Sequence, residues 1–138
     1  MDPDCMRYPV WYTRSRMTDG VIGWQMWFVI AIDPDYADDE GLYRHELTHV
    51  KQWAAVTLAT GIVLGLIYMP LILCAPSIHA ALYRFVRGYR GWCEARAFAR
   101  QTKFYPDDRS VKFAGYLSRN YDLDISFAAA LEHIQKAR

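Results

Sequence analysis

One pentapeptide has the residue types and spacing for metal chemistry, His45-Glu46-Leu47-Thr48-His49. Residues four apart lie on one face of an α-helix, one turn above the other. Two imidazoles at this spacing can bind one zinc ion, at about 2.0–2.1 Å per nitrogen. Glu46 leaves the helix on nearly the same side, where it can accept a proton from a zinc-activated water. The motif therefore predicts a zinc site that has its own general base.

The motif is specific for a chain of this composition. With four histidines and four glutamates, an HExxH pattern arises by chance in roughly 0.3% of such sequences. The alternative is a pair of surface histidines on an amphipathic helix. A helix is predicted independently, because Asp38, Asp39 and Glu40 can cap its free N–H groups and oppose the positive end of its dipole. A calcium loop is the other interpretation of these acids, but EF-hand spacing is missing.

The segment from Tyr43 to Gln52, YRHELTHVKQ, resembles the active-site helix of the zincin metallopeptidases. In zincins a strand precedes this helix and a third ligand follows downstream, and the apolar residues 24–32 stand in the same order here. Residues 41–100 more closely resemble short bacterial and phage-type proteins with an HExxHVxQ-like helix, a hydrophobic stretch and a later Glu-bearing helix. Gln52 and Ala55 replace the Gly and His of metzincins, which excludes that branch.

The gluzincin-like branch implies a glutamate on a second helix as the third ligand. Glu94, within the sequence WCEARA, resembles that element. A helical hairpin with its apex near residue 73 has arms of about 39 and 32 Å, so an antiparallel return brings Glu94 near the histidines. The resemblance thus implies zinc held by His45, His49 and Glu94. The alternatives are a salt bridge between Glu94 and Arg90, or another ligand from among His79, His133, Glu132 and Asp107.

Hydrolysis also needs a donor to the oxyanion that forms on the substrate carbonyl. Tyr89, five residues before Glu94, is the predicted donor, and Arg90 is the second candidate. Thr48 and Gln52 lie on or near the HExxH helix, and Gln52 is either a hydrogen-bond partner of a ligand or a solvated surface residue.

Charge is distributed unevenly along the chain. Residues 1–51 carry a net charge of −4, residues 52–83 carry no charged side chain, and residues 84–138 carry +5. The uncharged stretch is long enough to span a membrane, but a single span would place the histidines and Glu94 on opposite sides. A helical hairpin resolves this conflict. Its apolar tip, residues 56–80, is then buried in a membrane, in a protein partner or in the protein's own core.

The elements predict a single α+β domain that is mostly helical. Two strands, 7–17 and 21–32, form an N-terminal β-hairpin around Thr18-Asp19-Gly20, so that residues 1–33 are the β part. Residues 41–103 form the helical hairpin, broken between Pro70 and Pro76 and interrupted near Gly88 and Gly91. Two short helices, 109–119 and 125–137, complete a C-terminal part that spans 107–138.

Composition limits the function classes. A net charge of +1 gives no support to general nucleic-acid binding, and three cysteines match neither a disulfide framework nor a zinc knuckle. The N-terminus has no signal-peptide pattern, which predicts a cytoplasmic or membrane-associated protein and leaves a phage or virion component open. The predicted activity is zinc-dependent hydrolysis of a peptide or protein at or near a membrane. The resemblance to zincins implies that an extended substrate pairs along the edge of strand 24–32. The alternative is a non-catalytic membrane-associated or assembly protein whose HExxH site is structural or vestigial.

Overall fold

The computed structural model describes residues 8–14 and 22–138 of the chain. It confirms a mostly helical α+β fold, with a small sheet followed by helices. The strands are β1 (Val10–Tyr12), β2 (Gly23–Met26) and β3 (Val29–Ile32), and the helices are α1 (Glu40–Ile67), α2 (Ala75–Phe85), α3 (Arg87–Thr102), α4 (Ser110–Asn120) and α5 (Phe127–Lys136). Short 3₁₀ helices lie at Pro34–Tyr36 and Met69–Cys74.

The sheet has the order β1-β3-β2, which differs from the predicted pairing. The predicted second strand is itself a hairpin, since β2 and β3 are antiparallel and Trp27-Phe28 forms the turn between them. Trp27 has a φ of 58°, the left-handed conformation that two-residue turns require and that glycine or asparagine usually supplies. β1 pairs with β3 in parallel instead of forming a hairpin with it. The predicted turn Thr18-Asp19-Gly20 lies outside the described residues.

Helix α1 begins as the acidic cap predicts. The side chain of Asp39 accepts a hydrogen bond from Leu42 N at 2.8 Å and another from the Tyr105 hydroxyl at 2.7 Å. The first turns of α1 then pack on the buried strand β3. This small core contains Ile30, Ile32, Leu42, Leu47 and Val50. It fixes the N-terminal half of the helix, which carries the HExxH motif, against the sheet.

The C-terminal half of α1 leaves this core and forms an apolar hairpin with the 3₁₀ helix and α2. Ala75 faces Gly61, and the Tyr83 ring faces the His49 ring with centroids 6.1 Å apart. Helix α2 therefore runs antiparallel to α1. The predicted return helix is interrupted at Val86, two residues before Gly88, where the backbone is extended. α3 is bent by 98° from the segment before the break, so α2 alone makes the antiparallel return.

A second core joins α3 to the two C-terminal helices. It combines alanines, which let the helices approach closely, with phenylalanine, leucine and isoleucine side chains. Its buried members are Ala95, Phe98, Ala99, Phe113, Ala114, Leu117, Leu123, Ala130 and Ile134. Helix α3 thus packs on α4 and α5 with one face and on α1 with another, which places Glu94 between the two cores.

We expect Gly41→Ala to destabilise the fold by about 1–3 kcal/mol, even though alanine favours helix. A Cβ at Gly41 would lie 2.5 Å from Cζ of Tyr105, whose hydroxyl is bonded to the cap residue Asp39. Gly61→Ala on the same helix is the control, because its Cβ would meet only Ala75 at 3.7 Å. The control should be neutral or stabilising by about 0.5–1 kcal/mol in urea unfolding. Equal effects of the two substitutions would contradict this packing.

Candidate metal centre

Two helices bring three potential metal ligands together in the protein interior. His45 and His49 project from one face of α1, and Glu94 projects from α3. One donor atom from each residue lies within 4.8 Å of the others. All three side chains are buried, and Glu94 is only 2% exposed. The structure thus brings together the three residues that the sequence and the zincin resemblance predicted as ligands, and these residues could bind a metal ion.

The distances between donor atoms suit a tetrahedral ion. The two Nε2 atoms of His45 and His49 are 3.2 Å apart. Glu94 Oε1 lies 3.3 Å from His49 Nε2, and Glu94 Oε2 lies 3.5 Å from His45 Nε2. Ligands at about 2.0–2.1 Å from a tetrahedral zinc ion are about 3.3–3.4 Å from each other. The three side chains therefore already have the separation that joint coordination requires.

Gln52 orients the His49 ring and confirms the first of its two predicted interpretations. Its Nε2 donates to the Cys93 carbonyl at 3.1 Å, so its Oε1 faces His49 Nδ1 at 3.0 Å as an acceptor. His49 Nδ1 must then carry the hydrogen, which leaves a lone pair on Nε2 when the ring is neutral. Metal-binding histidines are commonly oriented in this way. Thr48 has no such role, because its hydroxyl donates to the Arg44 carbonyl at 2.8 Å.

A buried oxygen without a hydrogen-bond partner also fits a metal. Among the described residues, Glu94 Oε2 has no hydrogen-bond partner, and neither has His45 Nδ1, which a metal at Nε2 would not contact. An unpaired carboxylate oxygen in the interior costs several kcal/mol, but it becomes favourable when a cation binds it. The ring of His45 is held by packing, since its centroid lies 4.5 Å from that of Phe98.

The electrostatics of the metal-free site show how strongly it attracts positive charge. Burial disfavours the charged form of His49, yet Glu94 outweighs burial and raises the pKa of His49 to about 9. Burial likewise favours neutral Glu94, but the imidazoles of His49 and His45 hold the pKa of Glu94 well below its usual range. The carboxylate is thus ionised and needs a counter-charge, which either an imidazolium or a divalent ion supplies.

Two tyrosines that sequence reasoning missed lie at the site. The Tyr83 hydroxyl on α2 donates to Glu94 Oε1, and burial followed by the nearby Glu94 raises its pKa far above the usual value. Burial and Glu94 raise the pKa of Tyr121 in the same direction. Both hydroxyls therefore keep their protons and remain donors. Ten tyrosines occur in the chain, and no spacing rule links Tyr83 to a ligand across the hairpin turn.

Tyr89, the predicted oxyanion donor, has other contacts. Its hydroxyl lies 2.7 Å from His79 Nδ1, and its ring stacks on Trp92. The role predicted for Tyr89 stays a prediction, whereas the Tyr83 hydroxyl contacts the potential ligand Glu94. Arg90, the second candidate, does not pair with Glu94. Its guanidinium donates to the carbonyls of Tyr83, Arg84 and Tyr121 at 2.7–2.9 Å.

The other histidines and acids weighed as ligands lie outside the cluster. His79 is buried beside Tyr89, and its Nδ1 faces the Tyr89 hydroxyl. His133 is exposed on α5. Asp107 and Glu132 form exposed ion pairs with Arg109 and Lys136.

Glu46, the predicted general base, is buried at the side of the site that faces the sheet. Its Oε1 would lie 2.9 Å from a Cβ on Gly23, so the glycine in β2 leaves the space that the carboxylate occupies. Burial is the largest influence on Glu46 and raises its pKa, and Glu94 adds to this, although the two histidines oppose it. A carboxyl group with a raised pKa can both accept and return a proton near neutral pH.

We expect the purified protein to bind about one equivalent of zinc, because the three donors have tetrahedral spacing. Glu94→Ala should lower zinc affinity by about 100-fold or more, as it removes the only anionic ligand. His133→Ala is the matched control and should bind as the wild type does. Isothermal titration and elemental analysis measure both. A wild-type chain that takes up no zinc would contradict the site.

Gln52→Leu should weaken zinc binding by about 10–100-fold without removing a ligand, since the His49 ring loses the acceptor that orients it. Thr48→Ala, on the same helix, is the control and should leave the affinity unchanged. Near-ultraviolet circular dichroism of both variants checks that the fold is retained. An unchanged affinity in Gln52→Leu would show that packing alone orients the ring.

The chain matches no protein-family model, no curated protein and no solved structure. Its function is therefore inferred from the geometry and chemistry of the site.

Proposed function

We propose that this protein is a zinc-dependent peptidase in which His45, His49 and Glu94 bind the metal and Glu46 is the general base. The observation that carries the proposal is the combination of the three converging donors with a buried carboxylic acid one residue along α1. A purely accidental histidine pair would have no reason to meet a carboxylate from another helix. The resemblance of residues 43–52 to the active-site helix of zincins supports the same chemistry.

Zinc, when bound, would polarise a water molecule and the carbonyl of the scissile peptide bond. Glu46 accepts a proton from this water as the oxygen attacks the carbonyl carbon. The C–N bond then breaks, and Glu46 returns the proton to the leaving nitrogen, so that protons balance over the cycle. The raised pKa of Glu46 suits both steps.

Tyr83 is our candidate for the oxyanion donor. Its hydroxyl is already at a ligand oxygen of Glu94, and its raised pKa keeps the hydrogen that the oxyanion would accept. The single hydrogen of this hydroxyl is donated to Glu94 in the structure, so the hydroxyl would turn from Glu94 to the oxyanion once a substrate is bound. An oxyanion donor contributes about 10²–10³ in rate in other hydrolases.

The substrate in this proposal is an extended peptide that pairs with β2. Among residues 8–14 and 22–138, the order of the sheet makes β2 an edge strand and β3 a central one. Within the predicted strand 24–32, the substrate would therefore pair with the part that belongs to β2. β2 passes directly beside Glu46 at Gly23. Main-chain hydrogen bonds to this edge would hold the peptide next to the general base.

A structural metal site is the second candidate, and burial of the ligands favours it. All three donors are less than a tenth exposed, and the Tyr83 hydroxyl covers Glu94. Structural zinc sites are closed, whereas catalytic sites keep one position open. In this case the metal would only hold α1 and α3 together.

Glu46→Gln distinguishes the two candidates. We expect it to keep one equivalent of zinc and to lower the hydrolysis of an internally quenched fluorescent peptide library by about 10²–10⁴-fold, because the amide cannot accept the proton. Zinc chelation should abolish the wild-type rate, and added zinc should restore it. Wild-type protein that is fully loaded with zinc, is stabilised by it and cleaves nothing would establish the structural role instead.

A further inference from the structure

The far end of the helical hairpin exposes many apolar side chains. The 18-residue window of α1 that could cross a membrane by length and hydropathy is only 11% buried. The exposed residues lie along the second half of α1 and on the turn that follows it. They are Leu58, Ile62, Val63, Leu66, Ile67, Tyr68, Met69 and Leu73, of which Leu66 and Leu73 are more than 80% exposed. We call this region, residues 58–74, the hairpin tip.

Both ends of the helical hairpin lie on the same side of the hairpin tip, next to the candidate metal centre. Residues 40–52 of α1 are held against the sheet and the metal site, which leaves about 15 residues, or about 22 Å, beyond them. This is short of the roughly 30 Å of a bilayer's hydrocarbon core. Helix α2 then brings the chain back, since Tyr83 touches Glu94 and faces His49. The geometry suits insertion into one leaflet, because the part of α1 beyond the sheet and the candidate metal centre is shorter than the hydrocarbon core.

Charged residues flank the uncharged hairpin tip at the opposite end of the hairpin, which we call its root. Lys51 is the last charged residue before the tip and Arg84 the first after it. Both lie at the root, because position 83 of α2 faces position 49 of α1. A membrane offers a matching profile, with phosphate groups at its surface and hydrocarbon below.

The backbone of the turn is also suited to an apolar solvent. Tyr68 N donates to Leu64 O and Leu71 N donates to Tyr68 O, each at 2.9 Å. Pro70 and Pro76 have no N–H group to satisfy. The Thr60 hydroxyl donates to the Val56 carbonyl at 2.7 Å. Unpaired backbone groups cost several kcal/mol in hydrocarbon, so an internally bonded turn is a requirement for insertion.

We propose that the hairpin tip inserts into one leaflet of a lipid bilayer and anchors the protein to the membrane surface. The exposed stripe of α1 continues onto the turn at the end of the hairpin, and the hydrocarbon of one leaflet would cover both. This inference is independent of the proposed peptidase activity, because it requires neither a bound metal nor hydrolysis.

Flotation of the full chain with phosphatidylcholine vesicles tests this proposal. We expect the wild type to float with the vesicles, also in 0.5 M salt, because hydrocarbon contacts are not screened. Leu66→Asp should reduce the partition coefficient by at least about 100-fold, since an aspartate within the apolar layer is strongly unfavourable. Val111→Asp on α4, which removes an equally apolar residue that is 62% exposed, is the control and should float like the wild type.

Cys74 supplies a second measurement at the end of the tip. It is exposed, whereas Cys93 is buried, so a Cys5→Ser chain can be labelled at this thiol with an environment-sensitive fluorophore. Its emission should shift to the blue on vesicles and be quenched by spin labels within the acyl chains. Binding only to anionic vesicles and only at low salt would overturn insertion, and so would a label shielded in a vesicle-free dimer.

Discussion

A carboxylate buried between two imidazoles is the constraint around which this structure is organised. Glu94 is 2% exposed and ionised, and such a charge is tolerated in a protein interior only when it is paired and hydrogen-bonded. Three helices meet this need, because α1 supplies both imidazoles, α2 supplies the Tyr83 hydroxyl and α3 carries the carboxylate itself. The relative positions of these three helices therefore depend on how the charge of the Glu94 carboxylate is compensated.

The bend at Val86 separates α2, which belongs to the apolar hairpin, from α3, which carries Glu94 in the interior. Helix α2 continues along the apolar hairpin, whereas α3 turns by 98° into the polar interior. Such a bend leaves carbonyl groups at the end of α2 without helical partners. Arg90 satisfies those of Tyr83 and Arg84 and also reaches Tyr121 after α4. A single guanidinium thus joins three elements next to Tyr83, whose hydroxyl contacts Glu94 of the candidate metal centre.

Local periodicity explains which features could be predicted from the sequence. The face that carries the HExxH motif could be predicted, because it depends only on helical spacing. The acidic residues before α1 indicated where this helix begins, and the prolines indicated the turn that follows it. The predicted pairing of the strands was wrong, because residues 26–32 have no polar position that would indicate a turn. The turn is at Trp27, which takes a conformation that tryptophan rarely adopts. Tyr83 was missed because the register of α2 on α1 depends on the 3₁₀ helix at Met69–Cys74, whose extra rise no local pattern encodes.

The position of the metal centre relative to the hairpin tip bears on both proposals. His49 lies nine residues before Leu58, or about 14 Å along the helix axis, so insertion of the tip leaves the site at the level of the lipid headgroups. Water is present at that depth, and hydrolysis consumes one water molecule for each bond. Deeper in the hydrocarbon the same donors would have no water to activate. A membrane anchor formed by the second half of α1 is therefore compatible with a hydrolytic centre on its first half, and it would bring peptides at the membrane surface close to the edge of β2.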